Sequence, residues 1–288
     1  MKIQICSDLH IDVNEQILER KINFNFENIP LFIAGDTGES ADIELSLLKK
    51  LNDNKIETFV VAGNHLGYDY LSNRLLYKSL GIDEPLACTK EEHLKRLTKN
   101  KLEHIHYLEN SYVELDNYIV YGGTMYSNFE LYGNTNIEWC QKTAEGWIKD
   151  FRFVYTYDKK QKLVRPIIPE DYIKLYKKFI KGLNRVLKLN KPVIVLSHFA
   201  PSLLSIDKNY LQAQPRFSNP GFWINAVYAN DLIKYIKNSN IKYWIHGHVH
   251  SDKDYKLGNC RVICHPYGYS KDTTIPPENF KTKIINIQ

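Results

Sequence analysis

The sequence predicts an α/β protein, because short apolar runs alternate with segments of helical period, and because several of those runs end in a small residue followed by a polar one. Residues 2–6 open with a strand pattern, and Leu31-Phe32-Ile33 gives a second. Ser40 stands as N-cap before a helix carrying Leu45, Leu47, Leu48 and Leu51, which leads to a strand over 58–61. Thr89 and Glu92 form a capping-box pattern ahead of Leu94 and Leu97, predicting a helix over 90–99. Residues 112–115 then turn through Asp116 and Asn117 into 118–121 as a hairpin. The stretch 136–189 reads as mostly helical, with its clearest period in Ile173, Tyr176, Phe179, Ile180, Leu183, Val186 and Leu187. A strand over 192–196, a loop rich in Pro, Asn and aromatics over 200–223, a helix near 230–237 and a strand over 242–245 follow. The chain closes with a hairpin turning at Gly258 and Asn259 and a last strand around 281–287. No Pro/Gly/Ser-rich linker divides it, so residues 1–288 are expected to form one domain.

Chemistry gathers where the apolar runs end. Asp8 and His10 follow the first strand, Asp36 the second, Asn64 the third, His198 the strand over 192–196, and His248 with His250 the strand over 242–245. In an α/β sheet the loops beyond the carboxyl ends of parallel strands carry the ligands, so these runs deliver polar side chains to one rim. Ser7, Gly35, Gly63, Ser197 and Gly247 supply the small residues that tight strand-to-loop turns need. Alone, each Asp, Asn or His is most simply a loop or capping residue. In order along one chain they read as a metal site. Two carboxylates, one amide and four neutral imidazoles around two divalent cations leave about two positive charges over, which suits a phosphate ester. The mixed N/O donor set suits Mn, Fe, Co or Zn, with Mn favoured, better than a calcium cage or a thiolate-rich structural zinc site.

Asp8-Leu9-His10, Gly35-Asp36, Gly63-Asn64-His65, His198 and Gly247-His248-Val249-His250 resemble, in order, the signature of the calcineurin-like metallophosphoesterase superfamily. The resemblance implies a four-layer α/β/β/α sandwich of two packed mixed sheets flanked by helices. It implies one metal held by Asp8, His10 and His250, a second held by Asn64, His198 and His248, and Asp36 bridging them. It also implies in-line displacement by a hydroxide held between ions about 3.5–4 Å apart, with His65 facing the substrate. The family commonly places Asp or Glu directly after this histidine, and here Leu66 stands there. His65 is therefore expected to act as a neutral donor, or to draw on another acid such as Asp69.

Gly122-Gly123-Thr124-Met125-Tyr126-Ser127-Asn128-Phe129 and residues 244–269 resemble a narrower group of small bacterial and phage phosphohydrolases. That group carries Asn at the position of His265 and Arg at that of Tyr267, so phosphate recognition here would differ. Tyr126, Asn128, Arg152, Arg216, His265 and Tyr267 are the candidates for substrate contacts, with Arg gripping oxygen and Tyr stacking on a base. His93, His104 and His106 lie outside the motifs as surface or strand residues, and His246 faces away from the ligand pair by strand alternation.

The 288 residues, 43% hydrophobic and 25% charged, can bury a substantial core. A net charge of +5 without a basic run or nucleic-acid motif does not indicate a nucleic-acid partner. Five cysteines without CxxC spacing point to reduced thiols in the cytoplasm, with Cys260 and Cys264 as small buried hydrophobes on one strand face. No apolar stretch reaches the roughly 18–20 residues that span a bilayer, and no protein partner is evident. The expected activity is hydrolysis of a small nucleotide-like or metabolite phosphomono- or diester. The alternatives are a nuclease or protein phosphatase, and a silent scaffold, the last disfavoured because all the ligand positions are filled.

Overall fold

The computed structural model describes residues 1–12, 24–68, 102–158, 163–216, 219–269, 273 and 275–287. The capping box at Thr89 and Glu92 with its helix, His93 and the alternative acid Asp69 lie outside them. Five strands form the first sheet: β1 (Lys2–Cys6), β2 (Leu31–Ile33), β3 (Thr58–Val60), β4 (Ile105–Tyr107) and β13 (Lys283–Asn286), in the order β13-β1-β2-β3-β4. β1 to β4 run parallel and β13 pairs antiparallel with β1. The second sheet has β5 (Ser111–Glu114), β6 (Ile119–Gly123), β9 (Val193–Ser197), β10 (Ile241–His246), β11 (Lys253–Leu257) and β12 (Cys260–Cys264), ordered β11-β12-β10-β9-β6-β5. Its central strands β12, β10, β9 and β6 are parallel, with antiparallel strands at both edges. The helices are α1 (Ala41–Asp53), α2 (Ile137–Trp147), α3 (Asp150–Phe153), α4 (Pro169–Leu187), α5 (Lys208–Leu211), α6 (Asn225–Tyr228) and α7 (Ile233–Lys237).

Strand alternation assigns each side chain to a layer. Ile3, Ile5, Phe32 and Phe59 of the first sheet face Val120, Ile194, Leu196, Ile245 and Ile263 of the second, all buried, and this inner layer joins the sheets. Phe32 stacks on Phe59 at 4.7 Å between centroids, worth about 0.5–1.5 kcal/mol beyond its buried area. The alternate residues Leu31, Ile33 and Val60 turn outward onto Leu47, Leu48 and Leu51 of α1. On the far side Ile119, Tyr121, Val193, Val195 and Trp244 pack beneath Tyr172, Phe179, Leu183 and Val186 of α4. The result is the expected mixed-sheet sandwich with helices on both outer faces. Cys260 and Cys264 are buried free thiols within it, and no helix among the described residues is long and apolar enough to cross a membrane.

Several local expectations are corrected. Ser40 occupies the N-cap position but makes no side-chain cap bond. Its backbone N–H instead donates to Asp12 Oδ2 at 2.6 Å, and Glu39 N–H to Oδ1 at 2.8 Å, so an upstream carboxylate caps the entrance to α1. The stretch 136–189 is mostly helical, as expected, but not continuously so. A two-stranded hairpin of β7 (Tyr155–Asp158) and β8 (Leu163–Pro166) interrupts it between α3 and α4. Asp171 then fixes the start of α4 by accepting the Ile168 N–H at 3.2 Å while pairing with Arg165 at 2.6 Å.

Candidate metal centre

The ligand-type residues meet at one rim because the parallel strands of both sheets end there. The first sheet supplies Asp8, His10, Asp36 and Asn64, and the second supplies His198, His248 and His250. Two groups of donor atoms lie within 4.8 Å of one another: Asp8 with His10 and His250, and Asp36 with His198 and His248. His65 also joins His10 and Asp36 in a third such group.

Their backbone is unusual. Asp8, His10, Asp36, His248 and His250 have φ of 52°, 43°, 52°, 70° and 45°, the left-handed region that costs non-glycine residues of order 1–3 kcal/mol each. A web of main-chain bonds holds them there: Asp8 N–H to Gly35 O (3.0 Å), His10 N–H to Asp36 O (3.1 Å) and Asp36 N–H to Ala62 O (3.0 Å). Two glycines make the closeness possible. Gly35 sits at φ 86° where a Cβ would come within 2.5 Å of His198 Nδ1, and Gly63 at φ 84° where it would come within 2.1 Å of Asp36 Oδ1.

The electrostatics call for added positive charge. His198 Nδ1 faces the Ala34 carbonyl at 2.8 Å and so carries a proton. Its Nε2 points at two acceptors, Asn64 Oδ1 at 3.0 Å and Asp36 Oδ2 at 3.1 Å. Across the site His10 Nε2 and His250 Nε2 face each other at 3.1 Å, with Asp8 Oδ1 3.4 Å from the latter. His10 Nδ1 is buried without a hydrogen-bond partner. Burial works against a charged His198, but the Asp36 carboxylate outweighs it and lifts the ring to about 9. Burial holds His10 down to about 3 and His248 well below its ordinary value, so both rings keep the lone pair a metal requires. Asp36 is fully buried, yet the imidazoles of His198 and His65 keep it well below the usual carboxylate range. The lone pairs of His10 and His248 fit a divalent cation at each group, and at the second group the ion would take the place of the proton that Asn64 Oδ1 and Asp36 Oδ2 hold on His198 Nε2.

His65 lies beside Asp36, its Nε2 3.9 Å from Oδ2 and its N–H donating to Oδ1 at 3.0 Å. Of the two expectations for this ring, a neutral donor or one drawing on another acid such as Asp69, the geometry fits the second with a different acid. Glu39, at the other end of the Gly35-Asp36 loop, meets His65 Nδ1 at 3.0 Å. Burial lowers the ring's proton affinity, and Asp36 together with the Glu39 bond raises it further, for a net increase. The missing acid therefore comes from Glu39 and not from position 66. Tyr269, also not singled out from the sequence, stacks on His10 at 4.4 Å and brings its hydroxyl within 3.0 Å of His65 Nε2.

The substrate candidates fare differently. Tyr267 is core, its hydroxyl donating to Ile275 O at 3.0 Å and its ring against Phe24 and Phe280. His265 is held by Asp252 Oδ1 at 2.6 Å and Lys281 O at 2.9 Å. The Asn128 side chain closes a local turn, Nδ2 donating to Glu130 Oε2 at 2.7 Å and Oδ1 accepting the Glu130 N–H at 3.0 Å. The Tyr126 ring packs between Tyr172 and Phe199. Arg152 is exposed and donates to Gly146 O at 2.8 Å, and Arg216 is exposed with its backbone paired to Asn219. His246 is buried behind the site against Ser205 Oγ at 2.8 Å, and His104 and His106 both meet Glu57.

The sequence profile of the calcineurin-like phosphoesterases matches residues 1–252. The chain belongs to that family. This phosphoesterase is thus a metal-dependent hydrolase of phosphate esters. No curated protein sequence matches it significantly. Among solved structures, the phosphopantetheinyl hydrolase of Mycobacterium tuberculosis aligns at a TM-score of 0.61 and 15% identity, over 94% of this chain and 90% of that one, and shares the fold. A dimetal phosphatase from Danio rerio aligns at 0.48 and 11% identity, over 99% and 91% of the two chains, a likeness too weak to bear on the chemistry.

Proposed function

We propose that this phosphoesterase works with two divalent ions on a small phosphorylated metabolite or nucleotide-like mono- or diester. Asp8, His10 and His250 would hold one ion, Asn64, His198 and His248 the other, and Asp36 would bridge. The observation that carries this reading is His198 Nε2 facing two oxygen acceptors, Asn64 Oδ1 and Asp36 Oδ2, while its other nitrogen is committed to Ala34 O. When bound, such ions supply Lewis acidity and an activated water as nucleophile near neutral pH. The N/O donors suit Mn, Fe, Co or Zn, with Mn the first choice to test.

The chain's own groups do the rest. His198 is fixed in one tautomer by Ala34 O. Asp36 shares one donor group with His198 and His248 and another with His10 and His65, and it anchors the His65 backbone. Glu39 orients the His65 ring from Nδ1, and Nε2, which the Tyr269 hydroxyl meets at 3.0 Å, would donate to a phosphoryl or leaving-group oxygen that takes the place of that hydroxyl.

The test is a substrate panel on metal-stripped protein with each divalent ion restored in turn. The panel holds p-nitrophenyl phosphate, its bis-ester, cyclic nucleotides, single-stranded DNA and a phosphopeptide. A phosphopantetheinyl substrate is added because the fold neighbour is named for that activity. Turnover of small esters that returns with Mn supports the proposal. Turnover confined to DNA or phosphopeptide, or indifferent to metal, rejects it.

A further inference from the structure

Asn64 can ligate a metal only through its amide oxygen, and nothing in a planar amide alone decides which end faces the ion. Asp150 decides it here. This residue opens α3, in the segment between the sheets' strands, and is 2% exposed. Its Oδ1 accepts the Asn64 Nδ2 at 3.1 Å. A carboxylate accepts and does not donate, so the amide nitrogen must face Asp150 and the oxygen must face His198 Nε2, 3.0 Å away.

The same carboxylate accepts the hydroxyls of Tyr68 and Tyr172. Tyr172 belongs to α4 and anchors Asp150 in the outer core. Tyr68 stacks on the His65 ring at 4.4 Å. The turn between them is closely seated, since a Cβ on Gly67 would meet Val154 Cγ1 at 2.8 Å. One buried side chain thus joins α3 and α4 both to Asn64 and to the ring beneath His65.

We infer that Asp150 is a positioning residue that sets the metal-facing end of Asn64. The inference rests on the dinuclear reading above. In Asp150→Asn an amide nitrogen placed at Oδ1, the oxygen that takes both Asn64 Nδ2 and the Tyr68 hydroxyl, turns its N–H groups toward Asn64, and Asp150→Leu removes every acceptor whichever way the side chain lies. The Asn64 amide then flips and offers its own N–H to the ion. In the pair Asn64→Asp/Asp150→Asn the polarity is reversed but the bond is restored, because the new amide at position 150 donates to the new carboxylate at position 64.

The experiment is calorimetric titration of metal-stripped protein with Mn2+ alone, alongside the thermal midpoint of the metal-free variants. The parent takes up two ions. Asp150→Asn weakens one of the two sites by about 10–100-fold and leaves the other unchanged, the usual effect of losing a group that orients a ligand. The paired substitution recovers most of that loss while Asn64→Asp alone, its carboxylate set against that of Asp150, does not, and this difference separates restored pairing from the stronger ligand that a carboxylate makes by itself. Should Asp150→Asn prove too unstable to purify, the paired variant is read against Asn64→Asp alone: near-parent affinity confined to the pair supports the inference, and equal affinity in the two overturns it. Two parent-like sites in Asp150→Leu, which offers Asn64 no acceptor in any orientation, overturn the inference and leave the dinuclear reading standing. A parent that takes up no ions overturns both.

Discussion

Gly63→Ala puts the geometry of the centre under direct stress. Two costs are separable. At φ 84° any side chain is strained, roughly 1–2 kcal/mol for an L-residue in the left-handed region. The added methyl would also lie 2.1 Å from Asp36 Oδ1 and 2.5 Å from its backbone nitrogen. Restoring an ordinary contact needs a displacement of about 1 Å, and such overpacking costs of order 1–3 kcal/mol. The sum, roughly 2–5 kcal/mol, is compatible with a folded protein of ordinary stability. For function the displacement matters more, because the carboxylate that moves also carries Oδ2, 3.1 Å from His198 Nε2, and a 1 Å misplacement of a catalytic group costs on the order of 100-fold. Gly133→Ala is the control: its φ is 86°, but a Cβ there meets nothing within 4 Å. Denaturant melts and Mn-supported turnover of p-nitrophenyl phosphate should show Gly133→Ala losing about 1–3 kcal/mol with activity intact, the cost of a side chain at its ψ of 158°, a conformation that glycine alone ordinarily adopts. Gly63→Ala should lose more stability and about 100-fold in kcat. Parent-like turnover in Gly63→Ala would refute the placement of Asp36.

Other substitutions probe separate parts of the site. Asp36→Asn removes the shared carboxylate and should lower both metal content, measured on purified protein by elemental analysis, and kcat by at least about 100-fold. Glu39→Gln keeps the hydrogen bond to His65 Nδ1 but not its charge, and should lower kcat about 10-fold on a poor-leaving-group ester while barely touching an activated aryl ester. Equal effects on both esters would remove His65 from leaving-group chemistry. Tyr267→Phe should cost about 1 kcal/mol in a denaturant melt, for the bond to Ile275 O, and leave KM unchanged, as befits a core residue.

What the sequence made legible is what local pattern encodes. A strand places its final residues at one end of a sheet, so the runs ending at Asp8, Asp36, Asn64, His198 and His248 announced a common rim without any knowledge of pairing. Alternation likewise separated His246 from its ligand-type neighbours. What stayed hidden is contact between residues distant in the chain. Position 66 was the natural place to look for the acid beside His65, yet the carboxylate arrives from Glu39, 26 residues upstream, because the Asp36 loop folds back over it. Asp150 reaches Asn64 across 86 residues, and Tyr269 reaches His65 across 204. A short helix start and a tyrosine near the end of the chain carry no periodic signal that would mark them. Tyr267 and His265 misled for the complementary reason: polar side chains near a motif suggest a substrate, and only the packing reveals that Ile275 O, Asp252 and Lys281 O already occupy them.

Anomalous diffraction from crystals grown with Mn2+ tests the central claim most directly. Two peaks are expected, one among Asp8, His10 and His250 and one among Asn64, His198 and His248, with an Asp36 oxygen reaching both. A single peak, or ions bound away from these side chains, would contradict it.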